Sequence, residues 1–174
     1  MRILKYFAML SFVALFVSSC ETYDDVKVDY SPIFPMSGEW NVTIVNSTTG
    51  AQMIYTDKDG KKTSRWTIIT SNTADNATNK MWIRQSNKNL PELGQFCGKI
   101  DVDVAGKTFT GTDIIDTYTN SVKLTVKGNV VIDGYATPSG GKADKISFTI
   151  QSTKKPGQTY TVEGFRRTFW PEDE

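Results

Sequence analysis

The sequence predicts an all-β domain, an antiparallel up-and-down β-barrel of about eight strands. One observation is a period-two alternation of apolar residues that begins at Trp40 and returns in successive runs up to Val162. A single apolar face on each run is typical of half-buried antiparallel strands. The other is that short stretches rich in Gly, Asn, Asp and Pro separate the runs. Strands joined in this way form a meander, and closing the meander into a barrel removes its exposed edges.

The alternating runs follow one another along the chain, and no window between them has helical spacing. They cover residues 40–44, 53–55, 66–68, 81–83, 96–104, 109–115, 122–132, 146–150 and 160–162. The strand count is eight or nine, depending on whether residues 40–46 and 51–57 form two strands or one that Gly50 interrupts. Eight strands enclose room for packed side chains or one small ligand. Periodicity does not separate closed from open sheets, so a β-sandwich is the alternative.

Turn and glycine signals agree with a small closed barrel. Asp59-Gly60 is typical of a tight hairpin, and residues 105–107 leave room only for a tight turn between two strands. Glycines inside strands mark bulges or sharp bends, which a small barrel needs in order to turn its corners. Those that fall on the inward phase are Gly98, Gly111, Gly128 and Gly164.

The first twenty residues have the layout of a secretory signal peptide. A short basic segment precedes the apolar residues 7–17, which are too few for a comfortable membrane span. The stretch Val17-Ser18-Ser19-Cys20 resembles a bacterial lipobox, which implies cleavage before Cys20 and acylation of its thiol by palmitate-type chains. Several acyl chains anchor a protein stably. A soluble secreted protein with an incidental cysteine is the alternative.

We therefore expect three segments. Residues 1–19 are the signal peptide, residues 20–36 are the lipidated N-terminus and a flexible tether, and residues 37–174 are the barrel domain. Acidic residues soon after Cys20 resemble the surface-export signal of Bacteroidota lipoproteins, although a solvated linker explains them equally well. The expected location is the outer membrane, lipid-anchored, with either the periplasm or the cell surface as the exposed side.

Charge and cysteine content exclude several classes of function. Without residues 1–19 the chain keeps all 19 acidic residues and loses two of its 20 basic ones, Arg2 and Lys5, so its formal charge is −1. We expect no nucleic-acid partner, because no basic field attracts one. Once Cys20 is acylated, Cys97 has no intramolecular disulfide partner. Membrane attachment is therefore expected to rest on the acyl group.

The two ends of the domain carry a family resemblance. Gly38-Glu39-Trp40 opens the first strand, and Gly164-Phe165-Arg166-Arg167-Thr168 forms the last one. This pairing resembles the lipocalin or calycin pattern. The resemblance implies that Trp40 closes one end of the barrel and that Arg166 or Arg167 lies across its ring, an interaction worth about 2 kcal/mol when desolvated.

Together with the lipobox and the meander, these ends resemble the Bacteroidota family of lipocalin-like lipoproteins labelled lipid-binding putative hydrolases. That resemblance implies a barrel that holds a lipid or another small apolar ligand. We expect the aromatic residues within the strands to line such a cavity, or to form the core if there is none. They are Trp66, Trp82, Phe96, Phe109, Phe148 and Tyr160.

Catalysis has little support in the residues. The sequence contains no histidine, which excludes a Ser-His-acid triad, and a single free cysteine cannot make a zinc site. We expect no metal and no cofactor. Asp101 and Asp103 fall on the solvent phase of their strand. Asp113 is the one catalytic candidate, since it falls on the inward phase of Phe109 unless a rim or bulge turns it outward.

Three functions follow as hypotheses. The first is a membrane-anchored, non-catalytic barrel that binds a lipid or a similar apolar ligand. The second is a carboxylate-dependent hydrolase of lipid or glycan. The third is a structural or interaction subunit of an outer-membrane complex, with a glycan-related role if exposed rings stack on sugar. The sequence does not identify a protein partner.

Overall fold

The computed structural model describes residues 29–173, which contain ten β-strands. Their bounds are β1 Gly38–Asn46, β2 Tyr55–Thr56, β3 Lys62–Thr63, β4 Trp66–Asn72, β5 Lys80–Gln85, β6 Phe96–Asp103, β7 Thr108–Ile115, β8 Lys123–Ala136, β9 Lys142–Ser152 and β10 Tyr160–Arg166. Eight of them close into one antiparallel barrel in the order β1-β10-β9-β8-β7-β6-β5-β4. The predicted up-and-down barrel of eight strands is confirmed, and the β-sandwich is excluded. A short 3₁₀ helix, Pro171–Asp173, follows the last strand.

The run at residues 53–55 does not become a barrel strand. β2 and β3 form a separate two-stranded sheet. Residues 51–54 run beside β1, with an isolated bridge between Val45 and Gln52 and a hydrogen bond from the N–H of Met53 to the carbonyl of Ile44 at 2.8 Å. The turn between β2 and β3 contains the predicted Asp59-Gly60 pair. The carboxylate of Asp57 accepts hydrogen bonds from the backbone N–H groups of Asp59 and Lys61, at 2.9 and 2.8 Å.

Side chains fill the inside of the barrel. A hollow interior large enough for a lipid would leave accessible surface on the side chains around it. The inward residues have almost none, because each is at most 3% exposed; they include Trp40, Val42, Ile68, Met81, Ile83, Ile100, Val126, Ile146, Phe148, Ile150 and Val162. The barrel therefore contains a packed core rather than a ligand cavity.

The Trp40 end, where β1 begins and β10 ends, is covered by the chain that precedes β1. The side chains of Ile33 and Met36 are fully buried there. The expectation of a flexible tether up to residue 36 is wrong for this part of the chain, because two apolar anchors hold it on the barrel. The predicted signal peptide and Cys20 lie outside the described residues.

The opposite end, where β10 begins, is covered by the loop between β5 and β6. We call it the Tyr160 end. Leu90 and Leu93 of this loop are each 2% exposed and join the barrel core, as does Met53. The ammonium of Lys154 donates to the carbonyl of Leu93 at 3.0 Å. The barrel is thus capped at both ends.

A bulge in β7 changes which residues face inward. The register of β7 against β8 shifts between Gly111 and Ile114, and Asp113 has a φ of 53°. Because one extra residue is inserted, Ile114 packs toward the core and Ile115 is 56% exposed. The predicted inward phase therefore holds up to Gly111 and fails at Ile115.

A second bulge shapes the longest hairpin. The register of β8 against β9 shifts between Val131 and Tyr135, so Ile132 is 41% exposed although it lies on the predicted inward phase. Beyond the bulge the hairpin folds over the outside of β10. The ring of Tyr135 stacks on that of Phe165, with centroids 4.4 Å apart. This hairpin also holds the C-terminal segment, because the carboxylate of Asp173 accepts the N–H of Ser139 at 2.8 Å.

Gly164 permits the closest approach between the first and last strands. A Cβ placed there would lie 2.0 Å from the backbone oxygen of Asn41 and 2.6 Å from the Cα of Val42. Backbone atoms cannot move aside as a flexible side chain does. The barrel seam therefore depends on the missing side chain.

We expect Gly164→Ala to lower the free energy of unfolding by about 1–3 kcal/mol, because the new methyl group forces β1 and β10 apart. Gly141→Ala is the matched control, since its Cβ would meet nothing closer than the Thr137 hydroxyl at 3.4 Å. It should change stability by less than about 0.5 kcal/mol. Urea denaturation of both variants makes the comparison. Equal effects would show that the seam tolerates a side chain.

Candidate functional site

Trp40 occupies the inside of the barrel where β1 begins. Its side chain is fully buried, and its indole N–H donates to the Thr70 hydroxyl at 2.8 Å. That hydroxyl in turn donates to the carbonyl of Met36 at 2.7 Å. The indole is thereby connected to β4 on one side and to the chain preceding β1 on the other.

The guanidinium of Arg166 lies across the Trp40 ring, with its Cζ atom 4.5 Å from the ring centroid. Its Nε donates to the Asp144 carboxylate at 3.0 Å, and its two terminal nitrogens donate to the carbonyls of Ser37 and Pro35. Every nitrogen of the guanidinium therefore has an acceptor. The Arg166 side chain, from β10, thus connects β9 to the chain that precedes β1.

Gly38 is required by this arginine. A Cβ at Gly38 would lie 2.2 Å from Nη1 of Arg166. The glycine two positions before the tryptophan thus leaves the space through which the guanidinium reaches the ring. Gly38, Trp40 and Arg166 form one structural unit, which we call the closure site.

Arg167 points to the other side of the strand, because side chains alternate along β10. Its Nη1 donates to the Glu39 carboxylate at 2.8 Å, and its Cζ lies 4.6 Å from the centroid of the Phe169 ring. Of the two arginines that the sequence offered for contact with Trp40, the structure places Arg166 on the ring and Arg167 outside the barrel.

Five of the six aromatic candidates for ligand binding lie in the packed core. Phe109 and Phe148 meet edge to face with centroids 5.8 Å apart. The indole N–H of Trp66 donates to the carbonyl of Met53 at 3.0 Å. These rings and those of Phe96 and Tyr160 are each at most 3% exposed, so they belong to the packed core and line no cavity inside the barrel.

Trp82 lies on the outside of the barrel. It alternates with the buried Met81 and Ile83, and it is partly exposed under the ammonium of Lys99, which is 5.2 Å from the ring centroid. The expectation that Trp82 shares a cavity with the other aromatic candidates is therefore wrong. Its phase within β5 places it among polar residues of the outer face.

A hydrogen-bonded cluster around the Glu92 carboxylate holds the Tyr160 end closed, and the sequence did not indicate it. Glu92, in the covering loop, accepts a hydrogen bond from the Tyr160 hydroxyl at 2.7 Å and another from the side-chain amide of Asn46 at 3.1 Å. Burial, together with the hydrogen bond and negative charge of Glu92, raises the pKa of Tyr160 well above its usual range. Tyr160 therefore stays a neutral donor. Only Glu92's positive φ of 62° would have singled it out, and that angle is not visible in a sequence.

Asp113 is exposed and lies at the bulge of β7. The inward orientation that made it a catalytic candidate is therefore wrong, because the bulge turns the residue away from the core. Asp101 and Asp103 are exposed on the outer face, as expected from their phase. Asp101 forms an ion pair with Lys80.

Asp116 is the fully buried carboxylate at the end of β7. Its Oδ1 atom accepts the backbone N–H groups of Cys97 and Tyr118 at 3.0 and 3.1 Å. This geometry is that of a turn held by an aspartate side chain. Within residues 29–173 no group of three or more His, Cys, Asp or Glu is arranged to hold a metal ion.

A groove of about 1010 Å³ crosses the outside of the barrel from β6 to β10. Its lining comes mostly from outward residues, which include Thr108, Thr110, Lys127, Asn129, Ser147 and Thr149. Hydroxyl, amide and ammonium groups face the space, and Phe109 and Phe148 form part of its floor. The groove therefore presents polar groups together with a larger apolar surface.

The family comparison connects this barrel to lipid. The family model described as "Lipid-binding putative hydrolase" matches residues 25–171, which span the whole barrel. The chain belongs to this family. Lipid is thus the class of ligand that the family description supports. The carboxylates described above are exposed, or they bind backbone N–H groups or, in the case of Asp144, the Arg166 guanidinium.

Two solved structures resemble the chain at low identity. A redesigned β-barrel is 13% identical with a TM-score of 0.44, and the match covers 81% of this chain and 99% of that one. A protein of unknown function from Bacteroides ovatus is 14% identical with a TM-score of 0.48, and the match covers 77% of this chain and 42% of that one. The chain thus spans less than half of the second protein. No curated protein matches the chain.

No helix between residues 29 and 173 is both long and apolar enough to cross a bilayer.

We expect Arg166→Ala to cost about 3 kcal/mol of unfolding free energy, because it leaves the Asp144 carboxylate, only 15% exposed, without its cation. Arg167→Ala is the control. Its ion pair with Glu39 is more open, with side chains 27% and 40% exposed, and its loss should cost about 1 kcal/mol or less. Chemical denaturation measures both values. Equal costs would contradict the role given to the closure site.

Proposed function

We propose that the protein is a lipid-anchored, non-catalytic lipoprotein of the outer membrane that binds lipid with its outer surface and does not enclose it. The observation that carries this proposal is the packed barrel interior. Both ends are capped, by Ile33 and Met36 at one end and by Leu90 and Leu93 at the other. A member of a lipid-binding family that has no internal cavity can contact lipid only with its outer surface.

The anchor supports the same function. Acylation of Cys20 would hold the barrel next to a bilayer throughout its lifetime, and Cys20 lies only ten positions before the described Tyr30. Even weak contacts between the barrel and lipid are then formed at high effective concentration. The protein needs no internal cavity in order to remain bound to lipid.

The proposal of a non-catalytic role rests on the chemistry of the side chains. The chain has no histidine, and the strongest acidic candidate, Asp113, is exposed at a bulge. Asp116 is buried, but its Oδ1 atom is occupied by backbone N–H groups. A hydrolase needs a nucleophile with a base, a metal or paired acids placed around one substrate position. These residues supply no such arrangement.

A second candidate function is that of an interaction subunit in an outer-membrane complex. The groove across β6 to β10 favours it, because a row of hydroxyl, amide and ammonium groups fits a polar protein or glycan surface. Crosslinking from Lys127 in intact cells tests this candidate. One dominant crosslinked partner would support it, and a diffuse set of products would count against it.

The leading proposal is tested on the mature chain, residues 20–174, carrying Cys20→Ser so that no acyl group is present. We expect it to associate reversibly with lipid vesicles and, once separated from them, to show the mass of the bare protein in native mass spectrometry. The matched control is the acylated protein, which should remain in the membrane fraction. A lipid retained one-to-one by the unacylated chain would show that the barrel opens and encloses it. Absence of any vesicle association would show that the barrel does not bind lipid.

A further inference from the structure

Four aromatic side chains at the Trp40 end are exposed to solvent. Tyr30, Phe34, Phe169 and Trp170 are 63%, 43%, 68% and 63% exposed, in a protein whose other large apolar side chains are mostly buried. We call these four residues the aromatic rim. Tyrosine, tryptophan and phenylalanine combine an apolar ring with rigidity, and the first two are enriched where proteins meet the boundary between lipid and water.

The four residues belong to segments that leave the barrel at the same end. Tyr30 and Phe34 precede β1, whereas Phe169 and Trp170 follow β10. Because β1 and β10 are antiparallel neighbours, with Trp40 opposite Arg166, the beginning of one strand lies beside the end of the other. The two halves of the aromatic rim therefore begin beside the closure site.

Defined contacts hold the N-terminal half of the rim. The rings of Tyr30 and Phe34 stack with centroids 4.1 Å apart. The N–H of Phe34 donates to the carbonyl of Ser31 at 2.9 Å, and its neighbour Ile33 is fully buried. The chain thus turns Ile33 into the barrel and Phe34 out toward solvent.

The C-terminal half is held as firmly. Phe169 has a φ of 62°, an unusual backbone angle for an aromatic residue, and its ring lies 4.6 Å from the Cζ of Arg167. The Thr168 hydroxyl donates to Asp173 at 2.6 Å and accepts the N–H of Trp170 at 3.3 Å. The exposure of Phe169 and Trp170 is therefore set by the fold.

The length of the chain outside the described residues indicates what covers the rim. Cys20 lies ten positions before Tyr30, so the anchor is at most about 35 Å from the rim when the chain is fully extended. The Tyr160 end is farther by the length of β1, which for nine residues is about 30 Å. A bilayer that holds the acyl chains is therefore within easy reach of the Trp40 end, and only a fully stretched chain brings the opposite end to it.

Charge does not provide an alternative explanation for contact with a membrane. The turns and segments of the Trp40 end carry Lys107 and Lys142, but also Asp29 and Glu172. Attraction to anionic lipid needs a surplus of basic residues at the surface. Insertion of the aromatic rings is therefore the remaining source of affinity for the bilayer. Binding of this kind should depend little on salt concentration.

We infer that the aromatic rim docks on the bilayer to which the protein is anchored, so that the barrel stands with its Trp40 end on the lipid and its Tyr160 end away from it. This inference rests on the proposed lipid-surface function and adds the orientation. The groove from β6 to β10, which runs across the side of the barrel, then remains open to the aqueous phase.

The test uses the unacylated mature chain with Cys20→Ser and vesicles of phosphatidylethanolamine and phosphatidylglycerol, separated by flotation. In the rim variant Tyr30, Phe34, Phe169 and Trp170 are all replaced by serine. The control variant carries Ile54→Ser, Ile115→Ser and Tyr118→Ser. These three side chains are 46%, 56% and 42% exposed and lie toward the Tyr160 end. Thermal melts establish that each variant is folded.

We expect the vesicle partition coefficient of the rim variant to fall about tenfold or more, which is a loss of at least about 1.4 kcal/mol in the free energy of binding. The control variant should stay within about twofold of the parent, and raising the salt concentration should change the parent's binding little. Equal binding by the rim variant and the parent would overturn the orientation while leaving lipid binding intact. Failure of the parent itself to float would overturn the lipid-surface function. A parent that is dimeric in sedimentation, and monomeric once the rim is replaced, would assign the rim to a second copy of the chain.

Discussion

The contact between Arg166 and Trp40 is the interaction on which the closure of the barrel depends. The guanidinium covers the indole ring at 4.5 Å and binds Asp144 as well as two carbonyls of the chain preceding β1. A closed sheet must join its first strand to its last, and those strands are far apart in sequence, so the seam is the costliest contact to form. Gly38 and Gly164 serve the same seam, since each leaves space for an atom that a side chain would displace.

Closing the barrel in this way leaves no space inside. Eight strands enclose a volume that side chains can fill, and here Trp40, Phe96 and Tyr160 fill it almost without accessible surface. Family membership connects the chain to lipid, whereas the packing keeps lipid out of the barrel. The two fit together if lipid is contacted from outside. The proposed acyl anchor, the exposed rings and the sealed ends then have consistent roles, with the fold acting as a rigid body that presents a surface.

The sequence predicts those features that depend on alternation or on a short local signature. The strands and the Asp59-Gly60 hairpin follow from period two and turn chemistry. Closure into a barrel is favoured over a β-sandwich only by the glycines within the strands and by the family resemblance at the two ends of the domain. Features that depend on a single inserted residue do not follow. The bulge at Asp113 reverses the phase of the last residues of β7, so the predictions for Asp113 and Ile115 are wrong. Contacts between distant segments are also invisible, which is why the Glu92 cluster was missed and Ile33 was expected in a flexible tether. Trp82 was misplaced for a simpler reason, since its phase opposite Met81 and Ile83 already indicated the outer face.

The central claim is that lipid reaches the surface of this barrel and not its interior. Trp40 and Trp66 are both inside, at most 3% exposed, whereas Trp82 and Trp170 are outside. A variant with Trp82→Phe and Trp170→Phe therefore emits fluorescence from the core alone. Bromine atoms quench tryptophan emission only at short range, so bromines placed deep in the acyl chains reach a core tryptophan only if those chains enter the barrel. Titrating the unacylated variant with vesicles of brominated phospholipid should leave its emission unchanged while the protein floats with the vesicles. Quenching of this core emission would show that lipid enters the barrel, and would contradict the account.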